Sequence, residues 1–273
     1  MVARLRALKN RLNAKAHLYS PFDQHILLER SVNDPRTLSK IAASLAFIAG
    51  AINAGGFLLL RYSTSHVTGT TVRLSSDIGL GDWQGASGAL VIVLSFLFGA
   101  MTTAFLVAFG RRRRFRGKYA FSLAVESGLL LVFGLSNPTL ANDPRLVQGA
   151  IILLSFIMGM HNALFTKISQ AVVRTTHMTG VLTDFGIELS RLLYYNRRDH
   201  VRTKPIIADR QKLALHALLL VSFISGGVIG TLAFQHFGFI AMLPIAAFLL
   251  LLSQRYLIFH IRSRFRLWAL KRA

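Results

Sequence analysis

The stretch ASGALVIVLSFLFGAMTTAFLVAF, residues 86–109, runs for 24 residues without a charged side chain. A helix needs about 20 mostly apolar residues to cross roughly 30 Å of hydrocarbon. A run this long and apolar is typical of a membrane span and argues against a buried helix of a soluble protein. It therefore predicts an integral membrane protein.

Five further apolar runs flank this one, and the whole chain is 53% hydrophobic over 273 residues. The predicted spans are 38–60, 86–109, 119–135, 146–165, 213–234 and 237 to about 259. We therefore predict an all-α polytopic protein with six transmembrane helices. The chain has no cysteine, which excludes a disulfide framework and a thiolate metal site.

Positive charge is concentrated at the two ends of the chain and in two of the segments between the apolar runs. Of 32 Lys and Arg residues, 27 lie in four clusters, at 1–40, 111–118, 191–212 and from 255 onward. Lys and Arg near span ends stay in the cytoplasm. Six spans place all four clusters inside, which predicts a multi-pass membrane protein with both termini cytoplasmic. The charge is spread over loops and matches no recognition motif, so we expect no nucleic-acid partner.

The basic N-terminus is predicted to be a separate segment. Leu5, Leu8, Leu12 and Ala16 fall at helical spacing between basic residues in 1–37, which predicts an amphipathic helix on the cytoplasmic membrane surface. It lacks the apolar core of a cleavable signal peptide. A single transmembrane domain (38–260) and a basic cytoplasmic tail (261–273) follow. We expect the basic segments to contact anionic lipid headgroups, and the architecture allows a homo-oligomer.

Three motifs occur twice in the chain. FIAGAINA (47–54) matches FIMGMHNA (156–163), HVTG (66–69) matches HMTG (177–180), and SFLFG (95–99) matches SFISG (222–226). They predict two repeats, 38–135 and 146–260, each with a long helix, a short polar helix and two long helices. The spacing grows from 111 to 127 residues after the histidine block, which predicts an insertion in the basic loop 194–212.

The short polar helix decides the symmetry of the repeats. If it crosses the bilayer, the halves are parallel and the basic run 111–118 lies outside, against the charge rule. If it does not cross, each half has three spans and the halves are inverted. We favour two inverted three-helix repeats, each with a short re-entrant polar helix. In such folds, interrupted helices meet near the midplane, where solute binds.

Each short helix is predicted to carry one ionisable stripe that begins at a histidine. The stripe residues are His66, Arg73 and Asp77 in the first copy and His177, Asp184 and Glu188 in the second. With the Thr-Gly pairs and two asparagines beside glycines, they are candidates for binding a small solute. The added residues are Thr68, Gly69, Thr179, Gly180, Asn53 and Asn162.

Other roles for these residues stay open. The His-x-Thr-Gly blocks also fit helix caps and close packing. The two asparagines fit either a bond to interrupted backbone or a ligand contact. A metal site is chemically possible from five of these residues, but their spacing matches no established ligand signature. The five are His66, Asp77, His177, Asp184 and Glu188. We therefore predict no metal and no cofactor.

Three ionisable features lead to sharper expectations. Glu126 lies in the middle of span 119–135, where a carboxylate is costly, so it is either a proton-coupling residue or a neutral packing residue. His66 and His177 are expected to approach a shared cavity from opposite faces. Arg73 and Asp184 occupy equivalent positions with opposite charge, so we expect them to pair across the axis between the halves.

These motifs also resemble a known family. FIAGAINAGGFLLL with HVTGTTVRL, then MGMHNALF with RTTHMTGVLTDFGIEL, are similar to the YoaK-like bacterial inner-membrane proteins, domain of unknown function 1275. The resemblance covers about residues 40–255 and implies a polytopic protein of the bacterial inner membrane without a settled activity. This chain has Asn53 where the family has an acidic residue and Thr70 where the family has asparagine. A coupling role for a carboxylate in the first helix is therefore not expected here.

The favoured function is a secondary transporter or permease for a small polar or anionic solute. Three alternatives remain: a channel of the same architecture, an intramembrane metal-dependent enzyme, and a scaffold that transports nothing. The sequence has no nucleotide-binding loop, no G-x-S-x-G elbow and no H-E-x-x-H motif. We therefore expect that the protein is not an enzyme.

Overall fold

The computed structural model describes residues 35–113, 119–135, 143–168, 178–194 and 206–254. These residues form helices and turns, with no strand among them, which confirms the all-α class. The helices are α1 (Pro35–Leu60), α2 (Val67–Gly79), α3 (Trp83–Arg112), α4 (Ala120–Gly134), α5 (Pro144–Ile168), α6 (Met178–Leu193) and α7 (Arg210–Phe237). A 3-10 turn (Gly238–Ala241) leads into α8 (242–254).

Four helical segments in the described part of the chain are long and apolar enough to cross a membrane. They are Ser39–Leu60, Trp83–Arg112, Pro144–Ile168 and Arg210–Gln254. The last has 45 residues, and at about 1.5 Å per residue it is roughly twice as long as the hydrocarbon is thick. It is interrupted at Gly238, where φ is 57°. α4 is apolar but has only 15 residues.

Two aspartates fix the starts of equivalent long helices. Asp82 caps α3 by accepting a hydrogen bond from the Gly85 amide at 2.9 Å. Asp209 caps α7 by accepting from the Gln211 and Lys212 amides. A side-chain oxygen at this position satisfies amides that lack a partner in the first turn. The two caps are 127 residues apart, as the SFLFG and SFISG motifs are.

Glycines of the repeated motifs bring the long helices together in two equivalent pairs. In the α1/α7 pair, a Cβ at Gly50 would overlap the carbonyl of Phe223, and one at Gly226 would overlap the carbonyl of Phe47. The α3/α5 pair repeats this arrangement with Gly159 against Phe96 and with Gly99 against Phe156. Glycine permits such close backbone approach because it has no side chain to separate the helices. Each repeat therefore packs its first helix on a helix of the other repeat.

Contacts along each pair show that its two helices run in the same direction. In α1/α7, Phe47 meets Gly226 and Gly55 meets Phe234, so the residue numbers rise together.

In α3/α5, the Ser95 hydroxyl donates to the Ile152 carbonyl at 2.7 Å, and the Thr103 hydroxyl donates to the Met160 carbonyl at 3.1 Å. These residue numbers also rise together, so α3 and α5 are parallel.

The two pairs run in opposite directions. The His161 ring of α5 contacts the Leu45 carbonyl of α1, whereas Leu154 packs against Gly56. The residue numbers fall along one helix as they rise along the other, so α1 and α5 are antiparallel. We call the end of the bundle where α3 and α5 begin the cavity end, and the opposite end the basal end.

The short helix α2 folds back on α3, to which it is joined by the turn 80–82. The α3–α5 contacts place Leu154 level with about Leu97 of α3, and α1 ends four residues after Gly56. At about 1.5 Å per residue, α1 thus ends about 15 Å short of the start of α3. α2 covers this remaining length. Arg61, at the break between α1 and α2, has a φ of 53°.

Several predicted features lie outside the described residues. These are most of the amphipathic segment 1–37, the basic tail 261–273, His177, and most of the basic loop 194–212. The basic run 111–118 is described only as far as residue 113, and the sixth predicted span only as far as residue 254.

Candidate functional site: a buried carboxylate–imidazole pair and an open cavity

Glu126 forms an ion-pair contact in the middle of the bundle. It is the seventh of the 15 residues of α4, and its side chain is fully buried. Its Oε1 lies 2.6 Å from Nδ1 of His161 on α5, whose side chain is equally buried. Its other oxygen, Oε2, has no hydrogen-bond partner among the described residues.

His161 joins three helices. Besides Glu126 of α4, its ring contacts α1, with Nε2 lying 3.2 Å from the carbonyl oxygen of Leu45. His161 is not among the residues predicted from the sequence, because MGMHNALF counted there only as part of the repeat. One signal was available: the repeat places His161 opposite Ile52, an apolar residue. An ionisable residue at such a position within a span indicates a functional role.

Further polar groups are buried next to the pair. The Thr103 hydroxyl of α3 lies 2.7 Å from the Ser122 hydroxyl of α4 and also donates to the carbonyl of Met160. Ser122 is one helical turn from Glu126, and Met160 precedes His161. The centre of the bundle is therefore a polar junction of α1, α3, α4 and α5.

A cavity of about 420 Å³ opens at the cavity end. Its lining comes from the loop after α1, from α2, and from the N-terminal ten residues of α3 and eight residues of α5. The polar residues that line it are Tyr62, Arg73, Asp82, Gln84 and Gln148. Arg73 supplies a cationic group, and its side chain is 60% exposed. The cavity is wide enough for a small solute and offers charged and amide groups to it.

The candidate residues of the first repeat lie on or near α2. His66, Thr68 and Gly69 are at its start, and none of them lines the cavity. Arg73 and Asp77 face each other one turn apart, with Nε and Oδ2 separated by 3.5 Å.

The candidate asparagines occupy the long helices. Asn53 donates to the Ala49 carbonyl and accepts from the Ser65 hydroxyl at 2.6 Å, which ties α1 to the chain break before α2. Asn162 follows His161 in α5, and its backbone carbonyl accepts from Thr166.

The candidates of the second repeat lie on α6, which packs on α7. Thr179 and Gly180 are exposed in its first turn. Asp184 lies 4.0 Å from His216 of α7. Glu188 is buried, pairs with Arg191 at 2.8 Å and accepts from the Asp209 amide.

The expected pairing of Arg73 with Asp184 is wrong. Arg73 pairs with Asp77 on its own helix, and Asp184 approaches His216. Each short helix folds back on the long helix that follows it, α2 on α3 and α6 on α7. Because α3 and α7 run in opposite directions, the two stripes lie at opposite ends of the bundle. The repeat thus separates these residues instead of bringing them together.

The alternative of an intramembrane metal-dependent enzyme would need a cluster of carboxylates and histidines, and the described residues contain none. There, no three His, Asp or Glu side chains lie close enough together to hold a metal ion. His177, which the alternative requires, is outside those residues.

Comparison with known proteins places the chain in a family. A family described as "Protein of unknown function (DUF1275)" matches residues 41–254. The chain is also similar to the UPF0700 transmembrane protein YoaK of Bacillus subtilis (strain 168), with 27% identity over 197 residues, 71% of this chain and 84% of that protein. No solved structure matches the chain. The family match covers more than half of the sequence and includes most of α1, the cavity-lining helices and the buried pair, so the chain is a membrane protein that belongs to the DUF1275 family.

Proposed function

We propose that this membrane protein is a secondary transporter or permease that moves a small polar or anionic solute. The proposed fold has six spans in two inverted repeats, with both termini in the cytoplasm of a bacterium and the cavity end outside. The observation that carries the proposal is that two equivalent helix pairs, α1/α7 and α3/α5, run in opposite directions around a polar centre. Inverted repeats are a common basis for alternating access in transporters.

The directions of the helices support the inverted arrangement. If α2 and α6 both crossed the membrane, α1 and α5 would run in the same direction. Their contacts instead make them antiparallel. Six spans also leave the basic run that begins at Arg111 at the basal end, the end where α1 starts, as the positive-inside rule favours for a cytoplasmic side.

The break between α1 and α2 supports a solute pathway. α1 stops inside the length of α3, and Arg61 and Tyr62 continue as irregular backbone before α2 begins. Within a membrane, such backbone is tolerated where protein or a water-filled cavity surrounds it. Here the cavity lies beside the break, because Tyr62 lines it. α1 and α2 together thus form a discontinuous helix, a feature that recurs at transporter binding sites.

The cavity lining supports the substrate class. Among the described residues that line it, Arg73 is the one cationic side chain and Asp82 the one anionic side chain, which already accepts a hydrogen bond from the Gly85 amide. Gln84 and Gln148 add amides that donate or accept hydrogen bonds. Arg binds carboxylate and phosphate groups through its planar, multiply donating guanidinium. A small solute with such a group, or an uncharged polar one, matches this lining.

Uptake into liposomes tests the function while the substrate is still unidentified. Liposomes that contain the purified protein are incubated with a bacterial metabolite extract, and their contents are measured by mass spectrometry. We expect a small set of polar solutes to enter at least tenfold faster than into protein-free liposomes. Entry of no solute above the protein-free rate would overturn the proposal. Flux that neither saturates nor shows counterflow would favour the channel.

A pair of arginine variants connects the flux to the cavity. Arg73→Ala is expected to lower uptake by about tenfold or more, because it removes the cationic group of the cavity. Arg145→Ala removes an exposed arginine at the same end that does not line the cavity, and it should leave uptake unchanged. Equal effects of the two changes would contradict the assignment of the cavity as the solute site.

A further inference from the structure

The hydrogen bonds of His161 determine where a proton lies. Its Nε2 faces the Leu45 carbonyl, which only accepts, so Nε2 carries a hydrogen and donates. Its Nδ1 and the Glu126 Oε1 are 2.6 Å apart, so one hydrogen lies between them. It belongs either to a neutral glutamic acid or to a positively charged imidazole. Both arrangements are neutral as a pair and hold the same proton.

Loss of that proton is unfavourable while the pair remains closed. Two lone pairs would then face each other, either at Nδ1 and Oε1 or, in the other tautomer, at Nε2 and the Leu45 carbonyl. In both cases a net negative charge would be buried without a cationic partner. Burial of an unpaired charge is costly. Among the described residues, no other charged side chain lies within ion-pair distance of Glu126 or His161. The other polar groups beside the pair are uncharged. They are the hydroxyls of Thr103 on α3 and Ser122 on α4, and backbone carbonyls such as that of Leu45.

We propose that the Glu126–His161 pair is a proton-binding site that exchanges its proton only when the bundle opens, and that it thereby couples proton movement to the proposed solute transport. The inference rests on the proposed function and specifies its driving ion. The protonated pair is neutral overall, so it is stable in the closed bundle. The deprotonated pair carries a net negative charge, so it requires water around it.

α5 connects the pair to the cavity. Ile151 of α5 lines the cavity, and His161 is ten residues further along the same helix, a distance of about 15 Å. Between them, the Ser155 hydroxyl is fully buried without a hydrogen-bond partner in the described part of the chain. Water that entered on opening would supply the missing hydrogen-bond partner. A shift of α5 would therefore change the cavity and admit water toward the pair in one movement.

The test applies a proton gradient to the same liposomes. They hold equal concentrations of the metabolite extract inside and outside, and a pH difference of one unit is imposed. For one proton per uncharged solute, the transported solutes should reach a concentration ratio of up to about tenfold across the membrane. A pH-sensitive dye trapped inside should report proton movement together with the solute.

Glu126→Gln separates coupling from transport. Glutamine keeps a hydrogen bond to Nδ1 but does not release a proton, so we expect no gradient-driven concentration of solute. Counterflow exchange of isotope-labelled extract should persist, which shows that the variant is folded and active. Asp143→Asn removes an exposed carboxylate and should behave as the unchanged protein.

The outcomes distinguish the two proposals. Wild-type transport that ignores the pH difference, or gradient-driven concentration by Glu126→Gln, would overturn proton coupling and leave the transporter intact. Loss of counterflow in folded Glu126→Gln, as judged by an unchanged melting temperature, would also overturn it, because the residue would then be needed for transport itself. Absence of any wild-type flux would overturn the transporter, and this inference with it.

Discussion

The α1/α7 and α3/α5 pairs share their closest contact but differ one turn further along. Both place a glycine of each helix against a phenylalanine carbonyl of the other. Beyond that point, a Cβ at Gly230 of α7 would lie 2.7 Å from the Cα of Ala51. The equivalent residue of α3 is Thr103, which donates across the pair to Met160. The same framework thus carries an apolar contact in one pair and polar groups in the other.

The difference continues at the next residue. α5 has His161, which contacts Glu126, where α1 has Ile52, a fully buried apolar residue. Duplication therefore explains the packing, whereas the ionisable centre joins Glu126 of the first half to His161 of the second and is not itself repeated. A symmetric framework with an asymmetric centre is consistent with the proposed transporter, in which two similar halves would move around one site.

The largest expected effect comes from making α5 resemble α1 at this position. His161→Ile leaves Glu126 buried without its partner, and removal of one member of a buried ion pair typically costs about 3–5 kcal/mol. The measurement is the free energy of unfolding in detergent micelles. Met158→Ile, at a fully buried position on the same helix, is the control and should cost less than about 1.5 kcal/mol.

The double variant shows whether the pair acts as a unit. Adding Glu126→Met to His161→Ile removes the stranded carboxylate, so the combined loss should be smaller than the sum of the single losses. Strictly additive losses would contradict an interaction between Glu126 and His161.

A second comparison tests the shared framework itself. Gly159→Ala inserts a methyl group where the Phe96 carbonyl lies, and overpacking of this kind typically costs about 1–3 kcal/mol. Gly149→Ala is the same change on the same helix, with no atom within 4 Å of the new methyl group. Its effect should be neutral or slightly stabilising, since alanine is the better helix former. Melting curves that shift equally for both variants would argue against close contact of α3 and α5.

A smaller loss is expected where the pairs first diverge. Thr103→Val removes the hydroxyl that bonds to Met160 and Ser122, which should cost about 1–2 kcal/mol. Thr102→Val is the control, because the Thr102 hydroxyl donates to Phe98 of its own helix. If Thr102→Val proves as costly as Thr103→Val, the bond between the helices contributes nothing measurable.

The smallest effect has the opposite sign and concerns the break in the first repeat. Arg61 has a positive φ, which favours glycine over residues that carry a Cβ. Arg61→Gly should therefore stabilise the protein by up to about 1 kcal/mol. Arg61→Ala retains the Cβ and should not, so an equal gain in thermal stability for both variants would attribute the effect to the lost charge.

Much of the framework follows from local sequence features. Uncharged runs predict long helices because a membrane leaves backbone groups no other partners than their own. The repeated FxxG motifs identify the glycines at the helix contacts, because only a residue without a side chain allows that approach. The caps Asp82 and Asp209 can be read similarly, since each comes four residues before the start of its apolar run.

Partners across the bundle could not be read in the same way. Glu126 was visible from sequence as a carboxylate within a span, but His161 is 35 residues away on another helix. Their contact depends on how α4 and α5 turn toward each other. Arg73 and Asp184 were wrongly paired for the related reason that equivalence in a repeat does not imply proximity. Their separation follows from the opposite directions of the long helices on which α2 and α6 pack.

The sequence by itself determined a membrane protein of two similar halves, because hydrophobicity, charge placement and repetition are properties of the chain alone. The tertiary structure decided which helices of the two halves pack together and which side chains lie between them. Residues distant along the chain come together only when the helices that carry them pack against each other in a particular direction. Close packing at the glycines determines which long helices pair. The buried pair of Glu126 and His161 forms only because α4 and α5 pack together in this way.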